Sequence, residues 1–251
     1  MYNKQFETIN NEIKAYVLGL WYADGGIHKN SLQIVLHKQD LKLLEQIKEY
    51  FPFFHLRKKG ENAFCLNKQD KILAEDFRIL GALPRKSYEN KELINIPDIP
   101  ENLLHHFIRG FFDGDGSVFI QSINSIRVEM GCAGYNFITQ VLKVLYEKNI
   151  NFYMNCRLSD NNVRKQNYYR IYTSSYLESK KFAEYIYKDA TIFMNRKKEL
   201  LEQELIAKNS KPRIQCPDCN NYDTVYIGFR NNKVRIYCKN CDKRYTTAPR
   251  S

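Results

Sequence analysis

The chain has 251 residues, 39 Lys+Arg against 28 Asp+Glu and a net charge of +11 at pH 7, enough length for one or two domains with a sizeable core. That excess favours a polyanionic partner, without separating DNA from RNA or from an anionic membrane surface. No apolar run approaches the ~20 residues that span a bilayer, and the start has neither a signal-peptide h-region nor an Arg-rich amphipathic stretch, so no membrane partner is expected.

In chain order, Asn11 to Tyr22 is apolar enough for a buried helix, with Thr8, Asn10 and Asn11 as candidate caps. Short alternating runs follow Asp24. In Leu32-Gln33-Ile34-Val35-Leu36 the alternation puts Leu32, Ile34 and Leu36 on one face. Gln39 to Tyr50 is amphipathic, with Leu43, Leu44 and Ile47 together. His55, Arg57 and Lys59 then alternate with Phe54 and Leu56, and Phe64 and Leu66 continue the apolar face in the next strand. A helix follows with Ile72, Leu73, Phe77 and Leu80 inward and Gly81 as its stop. Asn95-Ile96-Pro97-Asp98-Ile99-Pro100, with two prolines, reads as a linker.

Beyond the linker the order helix, two strands, helix, two strands, helix repeats, which marks an internal duplication. A hairpin is expected over Ser117–Gln121 and Ser125–Met130. Its second strand aligns with Leu32–Leu36, and Phe137, Ile138 and Val141 fall on Leu43, Leu44 and Ile47. Strands are predicted over Asn151–Arg157 and Tyr168–Thr173, with Phe152, Met154 and Cys156 on the inner side of the first. Helices are predicted over Tyr176–Lys188 and Arg196–Lys208. The expected domains are 1–95, 96–207 and a tail, 208–251.

Each half opens on a related motif. Phe107-Ile108-Arg109-Gly110-Phe111-Phe112-Asp113-Gly114-Asp115-Gly116 follows Tyr16-Val17-Leu18-Gly19-Leu20-Trp21-Tyr22-Ala23-Asp24-Gly25 at an offset of 91 residues. A glycine at the third motif position removes a Cβ and lets two helix backbones approach. Helices packed there would set Asp24 beside Asp115 at their ends. Like charges that close demand a cation or a raised pKa, and an oxygen-rich, partly hydrated site suits Mg²⁺. Each Asp-Gly taken alone could simply finish a helix in a turn.

The paired motifs resemble those of single-chain LAGLIDADG homing endonucleases, and the resemblance runs over about residues 10–205. It implies an α+β, pseudo-twofold αββαββα saddle whose antiparallel sheets bind a long asymmetric stretch of double-stranded DNA. The implied activity is that of a monomeric, site-specific endonuclease hydrolysing both strands with divalent ions at Asp24 and Asp115. The alternative is the same fold serving as an intron RNA maturase or a non-catalytic DNA-binding regulator. Leu83-Pro84-Arg85-Lys86 and Asn195-Arg196-Lys197 resemble the Arg-Lys element that the family places beside the scissile phosphates, so Lys86 and Lys197 are candidates for charge stabilisation. His37-Lys38 stands where the family often has a polar pair organising water, which makes Lys38 a further candidate; the second half has Gly131-Cys132 there. Alternation puts Gln33, His55, Arg57, Lys59 and Asn67 on the outward face of the first half. In the second half it does the same for Arg127, Asn155, Arg157, Tyr168, Arg170 and Tyr172. Arg, Asn and Gln read base edges in the major groove, and Lys and Tyr mostly hold phosphates.

Of the seven cysteines, Cys65, Cys132 and Cys156 read as reduced core or strand residues. Cys216-Pro217-Asp218-Cys219 and Cys238-Lys239-Asn240-Cys241 have the spacing of a four-cysteine structural Zn²⁺ site. Between them Thr224–Phe229 and Val234–Tyr237 read as a hairpin, and the whole resembles a zinc ribbon. From Lys208 onward ten Lys/Arg face three Asp/Glu, so +7 of the charge lies in this tail, which suits DNA phosphates. A reducing, cytoplasmic setting is expected, bacterial or phage-like or else an organelle matrix.

Overall fold

The computed structural model describes residues 6–81, 93–122, 125–159, 166–209, 215–230 and 233–246. The chain divides into two compact units, 1–205 and 206–251. In the first unit, α1 (Glu12–Asp24) is capped by Asn11, whose side chain accepts from the Lys14 backbone N–H at 3.0 Å. Every residue from Ala15 to Tyr22 is buried, as befits a helix that is apolar all round. The hairpin β1 (Gly25–His28) and β2 (Ser31–His37) leads through a short 3₁₀ turn to α2 (Leu41–Tyr50). Next come β3 (His55–Lys59), β4 (Ala63–Gln69) and α3 (Lys71–Ile79).

The second half repeats the set. α4 (Leu104–Asp115), β5 (Gly116–Ser122), β6 (Ser125–Cys132) and α5 (Tyr135–Glu147) are followed by β7 (Tyr153–Arg157), β8 (Tyr168–Thr173) and α6 (Tyr176–Ile186). α7 (Asn195–Asn209) comes last. The two four-stranded antiparallel sheets have matching orders, β1-β2-β4-β3 and β5-β6-β8-β7. In each, helices cover one face. Leu43, Leu44, Ile47 and Phe77 join Leu32, Ile34 and Leu66, and Phe137, Ile138, Val141 and Phe182 join Ile126, Val128 and Ile171, all in one core. Among the described residues the other face of each sheet carries no helix, the arrangement of the expected α+β saddle.

Several details depart from the sequence reading. Ile72 is 46 % exposed. Asp70 caps α3 by accepting from the Ile72 and Leu73 N–H groups, and the buried stripe is Leu73, Ala74 and Phe77. Met154 and Cys156 are exposed, because β7 is an edge strand that the helices do not cover. The proline-rich stretch is no free linker. Ile94 is buried, Ile96 and Ile99 pack on the core, and the Ile96 N–H donates to Gln140 Oε1 at 2.8 Å. The first hairpin also pairs differently, since Gly25 faces Ile34 whereas Gly116 faces Met130. By the sequence alignment that is a slip of one two-residue step. A two-residue slip keeps every side chain on its own face.

The second unit holds a three-stranded antiparallel sheet, ordered β11-β10-β9, from β9 (Thr224–Arg230), β10 (Lys233–Cys238) and β11 (Lys243–Thr246).

Candidate active site

The site begins where α1 meets α4. A Cβ on Gly19 would lie 1.9 Å from the Phe107 carbonyl oxygen, and one on Gly110 would lie 2.0 Å from the Tyr16 oxygen. The two contacts are reciprocal at the same offset of 91 residues, so the helices cross about a local twofold. Asp24 and Asp115 are the last residues of these helices. The Gly25 and Gly116 N–H groups still bond back into them, to Trp21 and Phe112. Gly114 is equally constrained, since a Cβ there would meet Ala23 Cβ at 2.2 Å and Asp24 Oδ2 at 2.9 Å. The Asp24 carboxylate therefore lies against the foot of α4, one residue from Asp115. Asp24 is half-buried and Asp115 exposed. A small cleft opens beside Asp115, lined by Tyr22, Ala23, Phe111, Cys132 and Phe137 among others.

Lys197 closes the foot of α4. Its buried Nζ donates to the carbonyls of Phe112 (2.9 Å), Asp113 (2.5 Å), Gly114 (3.1 Å) and Gly116 (2.6 Å). Asp113 and Gly114 are among the last carbonyls of the helix, which lack an intrahelical partner, and there a cation also meets the negative end of the dipole. Burial pulls the ammonium down to about 8, against the upward pull of Asp113, Asp24 and Asp115. Both motif carboxylates thus act on the same lysine. Its neighbour Arg196 forks onto Asp40, at 2.8 and 3.1 Å.

The segment that carries Lys197 is fastened by residues the sequence reading did not single out. Asp113, fully buried, accepts from Tyr16 Oη and from the Met194 N–H, both at 2.8 Å. Burial pushes its carboxyl up to about 6, although these donors and the nearby cations pull it down. Glu12 accepts from the Thr191 N–H (2.7 Å), Thr191 Oγ1 (2.8 Å) and Arg109 Nη2 (2.7 Å). Arg109 itself is buried and donates to the Ile186 and Ile192 carbonyls. In the first half the sixth motif position is Tyr22, whose Oη donates to the Leu80 carbonyl at 2.6 Å. The two different side chains, Tyr22 and Asp113, share one task. Each ties a motif helix to a later stretch of its own half, Leu80 in the first and Met194 in the second.

A family model described as a LAGLIDADG-like domain matches residues 102–187. Solved structures extend the likeness to both halves. The LAGLIDADG meganuclease I-AabMI bound to uncleaved DNA aligns with a TM-score of 0.55 at 16 % identity, over 80 % of this chain and 91 % of that one. I-SmaMI bound to uncleaveable DNA with a TTGT central four gives 0.55 at 14 % identity, over 80 % and 92 %. I-GzeII in complex with its DNA target gives 0.51 at 17 %, over 80 % and 90 %. No curated protein matches the chain. The fold of the first unit is thus that of the LAGLIDADG meganucleases.

In this LAGLIDADG-like frame the remaining sequence-predicted residues can be placed. Lys86 lies outside the described residues. Lys38 is exposed at the start of the 3₁₀ turn after β2. On the uncovered face of the first sheet Gln33, Asn67 and His55 stand in one cross-strand row. Arg57 and Lys59 are exposed on the same edge strand as His55, and Lys59 Nζ donates to Gln33 Oε1 at 3.2 Å. On the second sheet Tyr172 and Arg170 face Tyr153 and Asn155 of β7, and Tyr168 faces Arg157. Arg127 lies on the same side, over the Tyr172 ring. At the position matching His37, Gly131 is forced by its surroundings. A Cβ would meet the Tyr169 oxygen at 2.4 Å and the Tyr168 ring at 3.0 Å. Tyr168 is pushed up to about 12 by burial and then by the charge of Asp115, so its phenol stays protonated beside that carboxylate.

In the second unit, one ligand atom each from Cys216, Cys219, Cys238 and Cys241 lies within 4.8 Å of all the others. The pairs Cys216–Cys241 and Cys219–Cys238 are 3.6 and 3.5 Å apart. A tetrahedral ion with Zn–S bonds of ~2.3 Å needs sulfurs about 3.8 Å apart, so the cluster fits Zn²⁺. The thiols also titrate in opposite directions. The Asn221 N–H, with the Asn240 side chain, brings Cys219 down to about 6. Burial and the neighbouring thiols push Cys241 up to about 12. Cys219 thus forms its thiolate readily while Cys241 resists, and a bound cation would favour the thiolate at each.

Proposed function

We propose that the protein is a site-specific endonuclease of double-stranded DNA, hydrolysing both strands at the foot of the α1–α4 pair. The observation that carries this reading is the convergence there of Asp24, Asp115 and Lys197, between two open sheet faces lined by basic and amide side chains. Asp24 and Asp115 would hold divalent cations of the Mg²⁺ type. The close approach of Asp24 to Gly114 and the exposure of Asp115 fit such ions with their waters and the substrate's phosphates. Bound there, the ions would supply Lewis-acid activation of water and stabilisation of the leaving oxygen. Lys197 holds the Asp115 end of α4 rigid and adds positive charge where phosphate charge builds up. Lys38, exposed after β2, would add charge in the first half, and Lys86 keeps the candidate role that its likeness in sequence to Lys197 gives it. The sheet faces set the register, with Gln33, Asn67, Asn155, Arg157, Arg57 and Arg170 toward bases and His55, Lys59, Tyr168 and Tyr172 toward the backbone. The four-cysteine unit, held by Zn²⁺, adds phosphate contacts and no chemistry.

The test is cleavage of supercoiled and linear DNA bearing sites selected from a randomised library, with Mg²⁺ and with EDTA. Double-strand cuts should require Mg²⁺ and vanish in both Asp24→Asn and Asp115→Asn, with binding retained because neither residue lies on a sheet face. Metal-dependent double-strand cutting that survives in both variants would sink the assignment. A wild-type protein that binds DNA or intron RNA without cutting would favour the binding-protein alternative.

A further inference from the structure

Glu129 lies mid-strand in β6, on the uncovered face of the second sheet. Its carboxylate takes two guanidiniums: Arg127 Nε donates to Oε2 at 2.7 Å, and Arg170 Nη1 donates to Oε1 at 3.2 Å. The three side chains are 14 %, 15 % and 15 % exposed, so the trio is built into the surface and is not a loose rim contact. Tyr172, directly opposite Glu129 in register, lies under Arg127 with the guanidinium carbon 3.9 Å from the ring centre.

A carboxylate on Nε and an aromatic ring on its face hold a guanidinium in one orientation. What remains of Arg127 is the edge formed by its two Nη groups, which make no other hydrogen bond among the described residues. That edge is the one that pairs bidentately with O6 and N7 of guanine in the major groove. A glutamate on such a surface could instead accept from cytosine N4, but both oxygens of Glu129 are already engaged. Two arginines against one glutamate leave the trio a net charge of +1, so it does not repel the phosphates around it.

We propose that Glu129 is a specificity-determining residue, which orients Arg127 to read one guanine of the target through the major groove. The proposal rests on the DNA-binding reading above and adds a base and a position to it. Without Glu129, Arg127 keeps its charge and loses its direction. Affinity for DNA in general should then survive while discrimination at one base pair fails.

The experiment is selection of bound sequences from a randomised double-stranded library by the full-length protein in EDTA, with wild type, Glu129→Gln and Arg127→Lys compared. Wild type should select a guanine at one position. Glu129→Gln should weaken that selection about tenfold, the scale of one bidentate base contact, and leave the other positions unchanged. Arg127→Lys should weaken the same position, and Glu129→Gln should bind bulk DNA at least as tightly as wild type. An unchanged profile in both variants, a loss spread evenly over all positions, or a G·C preference lost in Glu129→Gln and kept in Arg127→Lys would each overturn the proposal while leaving site-specific binding intact. A wild type that enriches no sequence would overturn both.

Discussion

Lys197 shows how one side chain can answer to stability and chemistry at once. Its folded pKa of about 8 lies below the ordinary lysine value of 10.5, so between those limits the unfolded chain binds more protons than the folded one. Stability contributed by this group therefore rises with pH across the window. Urea unfolding at pH 7.5 to 9.5, below the range where tyrosines ionise, should show that rise in wild type relative to Lys197→Met. The variant should also be less stable at pH 7.5, by about 1–3 kcal/mol, because several helix-end carbonyls lose their donor. Cutting at the half-site served by Lys197 should run the other way, with its charge advantage fading above about pH 8. A wild-type minus variant stability difference that is flat in pH would show that the ammonium titrates normally and is not held as described.

At the scale of elements, the contact between α1 and α4 was legible before the structure, and the reason is local. A buried helix must be apolar all round, and a glycine in the middle of one has little use beyond close approach. What was hidden depends on residues far apart in the chain. Nothing near Glu12 announces that it will accept from Thr191, and nothing around Asp113 distinguishes it from a second catalytic carboxylate. Met154 misled because alternation tells which residues share a side, not whether anything covers it, and Ile72 because it stands in the first turn of α3, beside the Asp70 cap. Glu129 could be placed outward, but its clasp on two arginines needed the strand register. The helix contact gives its own prediction. Gly110→Ala would gain up to ~1 kcal/mol of helix propensity, yet its methyl carbon would sit 2.0 Å from a backbone oxygen that cannot move without its helix. The expected result is a net loss of at least about 3 kcal/mol, at the severe end of overpacking, read as a lowered midpoint in urea. A variant as stable as wild type would mean the helices are farther apart than described.

For the whole molecule, the division at residues 205/206 separates the unit proposed to cut from the one proposed only to hold. The core of the first unit is closed by its own helices, so a chain ending at Ala207 should fold and retain Mg²⁺-dependent cutting at low salt. It should bind less tightly at moderate salt, and the slope of log K against log salt should flatten by about 0.9 for each phosphate that the tail no longer neutralises. Full-length protein should release one zinc per chain on thiol modification. Cys216→Ser/Cys219→Ser should release none and should bind like the truncated chain, since a small cysteine cluster does not fold without its ion. Equal slopes for all three proteins would assign the second unit to a protein partner.

The reciprocal glycine contact also works as a caliper. Each sheet is anchored to its own helix, so the closeness of the two backbones sets how far apart the two reading faces stand along a duplex. Successive base pairs are only ~3.4 Å apart, and a helix separation widened by half that much would put one face out of step with its bases while the other stayed aligned. On the proposed reading Gly19 and Gly110, buried between the helices, would touch no base, yet they would fix the number of base pairs that the protein measures between the two halves of its target.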